Sequence, residues 1–207
     1  MPSQTSQNLY IVPVQARSQA RFKQIIEAAK EVIARDWYGG LSIQTVAKQA
    51  KISTTSIYRY FPDRSGFVAY MMDEFVELQL SLIQQMNEQA HSSQDWRKTM
   101  RIYSDALNTF SIENKYTYPA QVALKADKKL TNHWFEKLTE IQTGLVALYK
   151  SMGAKGSDER INSVALTSLL ILDAQMLNYV NLKNRNLYEQ RSSFDSVLLN
   201  YLQDIFD

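Results

Sequence analysis

The chain has 207 residues, of which 45% are hydrophobic and 21% charged, so it can form a packed core. Six glycines and four prolines disfavour an all-β fold, which needs a turn about every 8–12 residues. The absence of cysteine excludes disulfides, thiolate metal sites and cysteine nucleophiles. No apolar run reaches about 18 residues and the start lacks a signal-peptide pattern. We therefore expect a soluble, cytoplasmic protein with no membrane contact.

Charge is distributed unevenly although the net charge is only +2. Residues 1–65 hold nine Lys/Arg against four Asp/Glu, whereas residues 66–207 hold fourteen against seventeen. A basic N-terminal part on a mildly acidic remainder is the distribution expected of a protein that binds a polyanion such as nucleic acid. An excess of this size also arises by chance, so charge alone does not decide the function.

The first predicted elements are an arm and a long helix. Residues 1–16 contain two prolines and a Ser/Gln-rich stretch without periodicity, which predicts a flexible arm. From Arg17, apolar residues recur at steps of three and four and predict a helix that ends near Trp37. The pair Gly39–Gly40 then supplies left-handed or open backbone. The predicted inner face consists of Phe22, Ile25, Ile26, Ala29, Val32 and Ile33.

Two short helices are predicted next. Ser42 and Ser53 each offer an N-cap hydroxyl, and Lys51 lies in the three-residue connection between the helices. The second helix runs from Thr54 to Phe61, where Pro62 stops it. Further helices are predicted at about 65–89, 95–110, from near 119, 130–152, 157–182 and 192–206. The fold class is therefore all-α, with about nine helices and no convincing strand.

The two short helices have the spacing of a helix-turn-helix. They need a third helix across them, which residues 20–36 supply, and the second short helix can then enter a DNA major groove. Hydroxyls and arginine can contact phosphates or base edges, and this helix carries no acid that would repel the DNA backbone. A helical corner used only for packing is the alternative. The outward residues are Thr54, Thr55, Ser56, Arg59 and Tyr60.

The same segment carries a family resemblance. Its motif residues are Arg21, Ile25, Ile26, Ala28, Ala29, Gly40, Ser42, Val46, Ala47, Ile52, Ser53, Ile57, Tyr58, Tyr60, Phe61, Pro62, Asp63 and Arg64. Together they resemble the N-terminal domain of the TetR (tetracycline-repressor) family. The resemblance implies an arm over 1–16, a helix-turn-helix DNA-binding domain over 17–65 and a helical effector-binding and dimerisation domain over 66–207.

The resemblance also assigns roles by position. This chain has Lys51 where the family usually has a glycine in the turn, and Arg64 where it usually has a lysine. The positions that face DNA bases in the family are Gln44, Thr54, Thr55, Ser56 and Arg59. The positions that contact phosphates are Ser42, Tyr58, Tyr60 and Arg64.

For the C-terminal part, the resemblance implies a homodimer that binds a near-palindromic DNA operator. The dimer interface falls on residues 157–182 and 192–206, and an unknown small-molecule effector binds within the helical body. Asp173 lies in an apolar stretch, where it faces the pocket, the dimer interface or the helix edge. The candidate pocket residues are Met71, Met72, Phe75, Trp96, Tyr103, Phe110, Trp134, Asp173 and Tyr179.

The leading interpretation is a sequence-specific transcriptional regulator, a repressor that a small molecule releases from its operator. The alternative is an architectural or protein-responsive DNA binder of the same fold with no inducer. We expect no enzyme activity, because the sequence shows no nucleophile–base spacing or phosphate loop. We also expect no cofactor and no metal, because His91 and His133 lie far apart without ligand spacing.

Overall fold

The computed structural model describes residues 9–90, 95–181 and 187–206. Nine α-helices and no strand occupy these residues, which confirms the all-α expectation. The helices are α1 (Ala16–Gly40), α2 (Ile43–Ala50), α3 (Thr54–Tyr58), α4 (Arg64–Ala90), α5 (Trp96–Glu113), α6 (Thr117–Ala126), α7 (Lys128–Ser151), α8 (Asp158–Asn181) and α9 (Leu187–Phe206).

Helix ends follow the local signals of the sequence. The side chains of Ser42, Ser53 and Ser157 accept hydrogen bonds from backbone N–H groups at the starts of α2, α3 and α8. Gly153 has a φ of 90° just after α7, a conformation that costs glycine little. The predicted inner face of α1 is fully buried. α3 is shorter than expected, because it ends at Tyr58 rather than Phe61.

The chain divides into two compact units. The head unit comprises Met1–Glu74 and Lys115–Phe135, and the body unit comprises Phe75–Asn114 and Glu136–Asp207. The head unit therefore continues beyond residue 65, as far as Glu74. It also includes α6 and the start of α7, and α1 packs directly on α6.

The core of the head unit is an aromatic cluster around Phe61. Its ring packs on Phe22 from α1 and on Phe67 from α4, with ring centroids 5.0 and 4.6 Å apart. Tyr70 meets Phe22 edge-on at 4.9 Å. Phe61 and Phe67 are fully buried, so the end of the helix-turn-helix is fastened to α4 by apolar burial.

The core of the body unit combines apolar packing with buried hydroxyls. Trp96 of α5 stacks on Phe206 of α9 with centroids 4.6 Å apart. Tyr103 donates to Oε1 of Gln79 at 3.0 Å. The hydroxyl of Tyr149 lies 2.7 Å from that of Ser168. Burial raises the pKa of both tyrosines above the usual range, because an apolar interior disfavours the phenolate.

Residues 9–11 of the predicted arm contact the head unit, whereas residues 1–8 lie outside the described residues. Tyr10 donates its hydroxyl to Oδ2 of Asp73 at 2.5 Å, and the N–H of Ile11 donates to the carbonyl of Tyr60 at 2.8 Å. The carbonyl of Leu9 lies so close to Gly66 that a Cβ there would be 2.2 Å away. Residues 9–11 thus form a non-helical strap, which agrees with the lack of apolar periodicity in this segment.

The backbone breaks within α1, at a position that differs from expectation. Trp37 takes the positive φ, 60°, while Gly39 and Gly40 do not. The ring of Trp37 packs edge-on against Tyr118 at 5.4 Å. Gly40 is needed for lack of space rather than for a positive φ, because a Cβ there would clash with the Cβ of Asp36.

Candidate nucleic-acid interface

The three N-terminal helices form a helix-turn-helix within the head unit. Val46, Ala47 and Ala50 of α2 are buried, as is Ile57 of α3. A capping box fixes the start of α2, because Ser42 Oγ accepts from the N–H of Thr45 while Thr45 Oγ1 accepts from the N–H of Ser42. Two short helices are thus held at a defined angle by caps and a small apolar core.

The turn between α2 and α3 contains a residue with left-handed backbone conformation. Lys51 has φ 55° and ψ 43°, and its N–H donates to the carbonyl of Lys48 at 3.3 Å. The N–H of Ile52 then reaches the carbonyl of Ala47 at 3.1 Å. The lysine therefore occupies the conformation that a glycine would adopt with less strain.

The candidate base-facing residues differ in exposure. Gln44, Thr55 and Arg59 are exposed, so their polar groups are free to approach another molecule. Thr54 and Ser56 are half-buried. The hydroxyl of Ser56 lies 2.9 Å from that of Ser53, which engages it in the cap of α3.

The candidate phosphate-contacting residues form two groups. Tyr58 is 52% exposed, whereas the ring of Tyr60 packs on α1 and meets Phe22 edge-on at 5.7 Å. Ser42 is already engaged in the capping box. Arg64 is exposed, lies 4.1 Å over the ring of Tyr38 and donates to the Tyr38 carbonyl.

A polar cluster beside Arg64 was missed by the sequence analysis. Asp127 Oδ2 accepts from Tyr38 at 2.7 Å and from Ser65 at 2.6 Å. Burial opposes ionisation of Asp127, but these hydrogen bonds outweigh it and lower the pKa of its carboxyl. The only local signal was an acid at the start of a helix, and nothing near it in sequence indicated a partner 89 residues away.

Asp63 makes a second link between the same segments. Its Oδ2 lies 2.8 Å from Nζ of Lys129 and its Oδ1 accepts from the N–H of Ser65 at 2.9 Å. Partial burial opposes ionisation, yet the bonds from Lys129 and Ser65 lower the pKa of Asp63. The start of α4, next to the recognition segment, is thereby tied to the start of α7.

The candidate pocket residues fall into both units. Met71, Met72 and Trp134 belong to the head unit, where both methionines are buried. The body unit contains the other candidates, Phe75, Trp96, Tyr103, Phe110, Asp173 and Tyr179.

Within the body unit, Phe75 stacks on Phe110 at 5.5 Å, and Asp173 is half-buried. The side chain of Tyr179 lies outside the described residues, as does His91. His133 of the head unit is bonded through Nε2 to Oδ1 of Asp73 at 2.8 Å. Across the described part of the chain, no group of three or more metal-ligating residues is present, and no helix is long and apolar enough to cross a membrane.

These features define a helix-turn-helix protein with an all-helical body. Residues 25–71 match the family described as bacterial regulatory proteins, tetR family. The resemblance to the TetR family is thus confirmed for the N-terminal segment, which is the segment that carries the helix-turn-helix.

Relatives of known name agree with this assignment. An HTH-type transcriptional regulator of Staphylococcus aureus (strain USA300) is 25% identical over 93 residues, which is 45% of this chain and 49% of the relative. The chain therefore spans about half the length of the curated relatives it matches.

Solved structures show the same fold over nearly the whole chain. A putative TetR-family transcriptional regulator from Mesorhizobium loti has a TM-score of 0.69 at 14% identity and covers 92% of this chain and 98% of its own. FadR from Bacillus subtilis, a transcriptional regulator solved in complex with stearoyl-CoA, has a TM-score of 0.68 at 20% identity, covering 87% and 98%. The chain thus has the fold of TetR-family regulators.

Proposed function

We propose that the protein is a sequence-specific DNA-binding transcriptional regulator. The observation that carries this proposal is the capped helix-turn-helix with Gln44, Thr55 and Arg59 exposed on it. Gln can pair with adenine, Arg with guanine, and a Thr methyl can contact a thymine methyl. The partner is double-stranded DNA, which such a helix reads in the major groove, and we expect the protein in the cytoplasm.

The proposed contacts divide into two kinds. Gln44, Thr54, Thr55, Ser56 and Arg59 face bases, of which Ser56 is the weakest candidate because Ser53 already engages its hydroxyl. Phosphate contacts come from the remaining candidates, which are Ser42, Tyr58, Tyr60 and Arg64. Tyr60 offers its hydroxyl, since its ring already packs on Phe22.

A homodimer follows from the proposed DNA target and from the body unit. Leu166 and Leu170 lie one turn apart on α8 and are 37% and 56% exposed, and Val197 of α9 is 54% exposed. Exposed apolar residues on these helices support an interface through residues 157–182 and 192–206. A two-fold dimer presents two recognition helices about 34 Å or a multiple apart, which requires a near-palindromic operator.

We further propose repression relieved by a small molecule bound in the body unit, among Phe75, Trp96, Tyr103, Phe110 and the helix that carries Asp173 and Tyr179. Met71, Met72 and Trp134 belong to the head unit and are left out of this proposal. That the FadR relative was solved with stearoyl-CoA supports ligand response without naming this chain's ligand. Effector and operator then weaken each other's binding by the same factor.

Selection from random duplex DNA tests the proposal. The recovered sites are expected to form a near-palindrome, and light scattering is expected to give a dimer that binds one site. A variant with Thr55→Ala is expected to relax base preference at one position, whereas Arg64→Ala weakens selected and random DNA alike. Recovery of no common sequence would contradict sequence-specific binding and would favour an architectural DNA binder.

A further inference from the structure

A basic groove lies between α1 and α2 of the head unit. It is a cavity of about 480 Å³ lined by Arg35, Thr45, Lys48, Gln49 and Lys51. Three of its five lining residues are cationic and none is acidic. None of the three cations belongs to the DNA-contacting positions that the TetR resemblance assigns.

The two lysines supply the uncompensated charge of this groove. Asp36 binds Arg35 through both carboxylate oxygens, at 3.0 and 2.7 Å, and largely neutralises it. Among the described residues, no carboxylate forms an ion pair with Lys48 or Lys51. Because both lysines are exposed, their ammonium groups are available to an anion from solution.

The backbone at Lys51 gives an independent indication. Its φ of 55° is the conformation in which a Cβ is strained and a glycine is not. Residues held in such conformations concentrate at functional sites and persist where the surrounding structure imposes them, as the C-cap of α2 does here. Here the strained position keeps a cation beside Lys48 at the rim of the groove.

The position of the groove on α2 indicates which anion it meets. Lys48 follows the proposed base-facing Gln44 by four residues, so both lie on one face of α2, about 6 Å apart along the axis. A duplex that contacts the first turn of α2 therefore passes Lys48 next and then Lys51. The anion that this row of cations would meet is a backbone phosphate.

We propose that Lys48 and Lys51 form an additional phosphate-binding site for double-stranded DNA. This inference rests on the proposed function and adds contacts outside the family motif. The ammonium groups donate hydrogen bonds to phosphate oxygens, while Thr45 is already engaged by its capping bond to Ser42. Such contacts increase affinity for any sequence and leave base preference unchanged.

The test compares variants of equal charge change. Lys48→Gln with Lys51→Gln removes the site, and Lys125→Gln with Lys128→Gln is the control, because these lysines are also exposed and belong to the head unit. Binding to random duplex and to the selected operator is measured by fluorescence anisotropy between about 50 and about 300 mM salt. The site variant is expected to lose about one unit of salt slope for each phosphate contact removed, and the control far less.

Two further variants separate charge from folding. Lys48→Arg with Lys51→Arg is expected to retain the salt slope, because the charge remains. Lys51→Gly is expected to raise the melting temperature, by relieving the left-handed strain, while reducing the slope. A more stable protein with a weaker salt dependence cannot be explained by damage to the fold.

The outcomes that overturn the site are distinct from those that overturn the function. Equal slopes for the site variant and the control would overturn the site while leaving DNA binding intact. Loss of slope in the arginine variant would also overturn it, because shape rather than charge would then matter. A wild-type protein that binds no duplex at any salt concentration would overturn the proposed function together with the site.

Discussion

The tyrosine hydroxyls of the two units bond different kinds of partner. In the head unit, carboxylates join segments that are distant in sequence, as Asp127 joins Tyr38 and Ser65. In the body unit, the buried hydroxyls of Tyr103 and Tyr149 meet uncharged partners. Charged contacts depend on pH through the ionisation of the acid, whereas neutral ones change only where the tyrosine itself ionises. The contacts of Asp127 should therefore respond to acid, whereas these tyrosine contacts of the body unit should respond only to alkali.

The largest expected effect comes from the aromatic core of the head unit. Phe61→Ala leaves a cavity among Phe22, Phe67 and Tyr10, and is expected to lower the free energy of unfolding by about 3–5 kcal/mol. Urea denaturation monitored by circular dichroism measures it. Ile112→Ala is the control, because this side chain is 51% exposed and should change stability little. A loss below about 1 kcal/mol would mean that the site collapses around the cavity.

The strap formed by Leu9–Ile11 is tested at Gly66. Gly66→Ala places a methyl 2.2 Å from the carbonyl of Leu9, so the strap or α4 must move, at an expected cost of about 1–3 kcal/mol. In a chain lacking residues 1–11 the same substitution should cost clearly less, because only the close contact with the ring of Phe61, at 3.2 Å, remains and alanine favours helix by about 0.5–1 kcal/mol. A double-mutant cycle in urea measures the difference, and additive effects would exclude the clash.

Asp127 tests the acid sensitivity of the head unit. Its folded-state pKa is lowered, so its stabilisation is present above the unfolded pKa of about 4 and is lost as pH falls through the folded pKa. Asp127→Asn is expected to lower the free energy of unfolding by about 1–2 kcal/mol at neutral pH. It should also make that free energy depend less on pH in the acid range. Hydrogen exchange followed by mass spectrometry at decreasing pH assigns the loss to a unit.

The control for Asp127 lies in the body unit. Tyr149→Phe removes the hydroxyl contact with Ser168 but no carboxylate. The loss of stability at acid pH should therefore be the same as in the wild type. In the wild type, burial raises the pKa of Tyr149. The stabilisation that its protonated hydroxyl contributes is therefore present below the unfolded pKa of about 10 and is lost as pH rises above it. Equal acid sensitivity in both variants would remove the distinction between the units.

The smallest expected effect concerns Tyr10. Tyr10→Phe keeps the ring packing against Tyr70 but removes the hydroxyl that donates to Asp73. The expected cost is about 1 kcal/mol, since one hydrogen bond to a carboxylate is lost while His133 still bonds that carboxylate. Faster exchange of the Ile11 amide, seen by nuclear magnetic resonance, would show that the strap loosens. An unchanged exchange rate would assign its anchoring to Leu9 and Ile11 alone.

The sequence alone determined the local architecture. Apolar residues at steps of three and four defined the buried face of α1, and the hydroxyls of Ser42, Ser53 and Ser157 marked three helix starts. These signals act within one or two turns of helix, so they can be read without knowing the fold. The family motif lies in the same short-range segment, and it identified the helix-turn-helix for the same reason.

Only the tertiary structure decided which distant segments meet. Tyr10 and Asp73 are 63 residues apart, and Tyr38 and Asp127 are 89 apart, and neither pair carries a mutual signal in sequence. The different exposure of Tyr58 and Tyr60 has the same origin, because the position of Phe22 on another helix determines which ring packs. A local pattern fixes the direction of a side chain along its own helix, but its partner depends on how the helices pack.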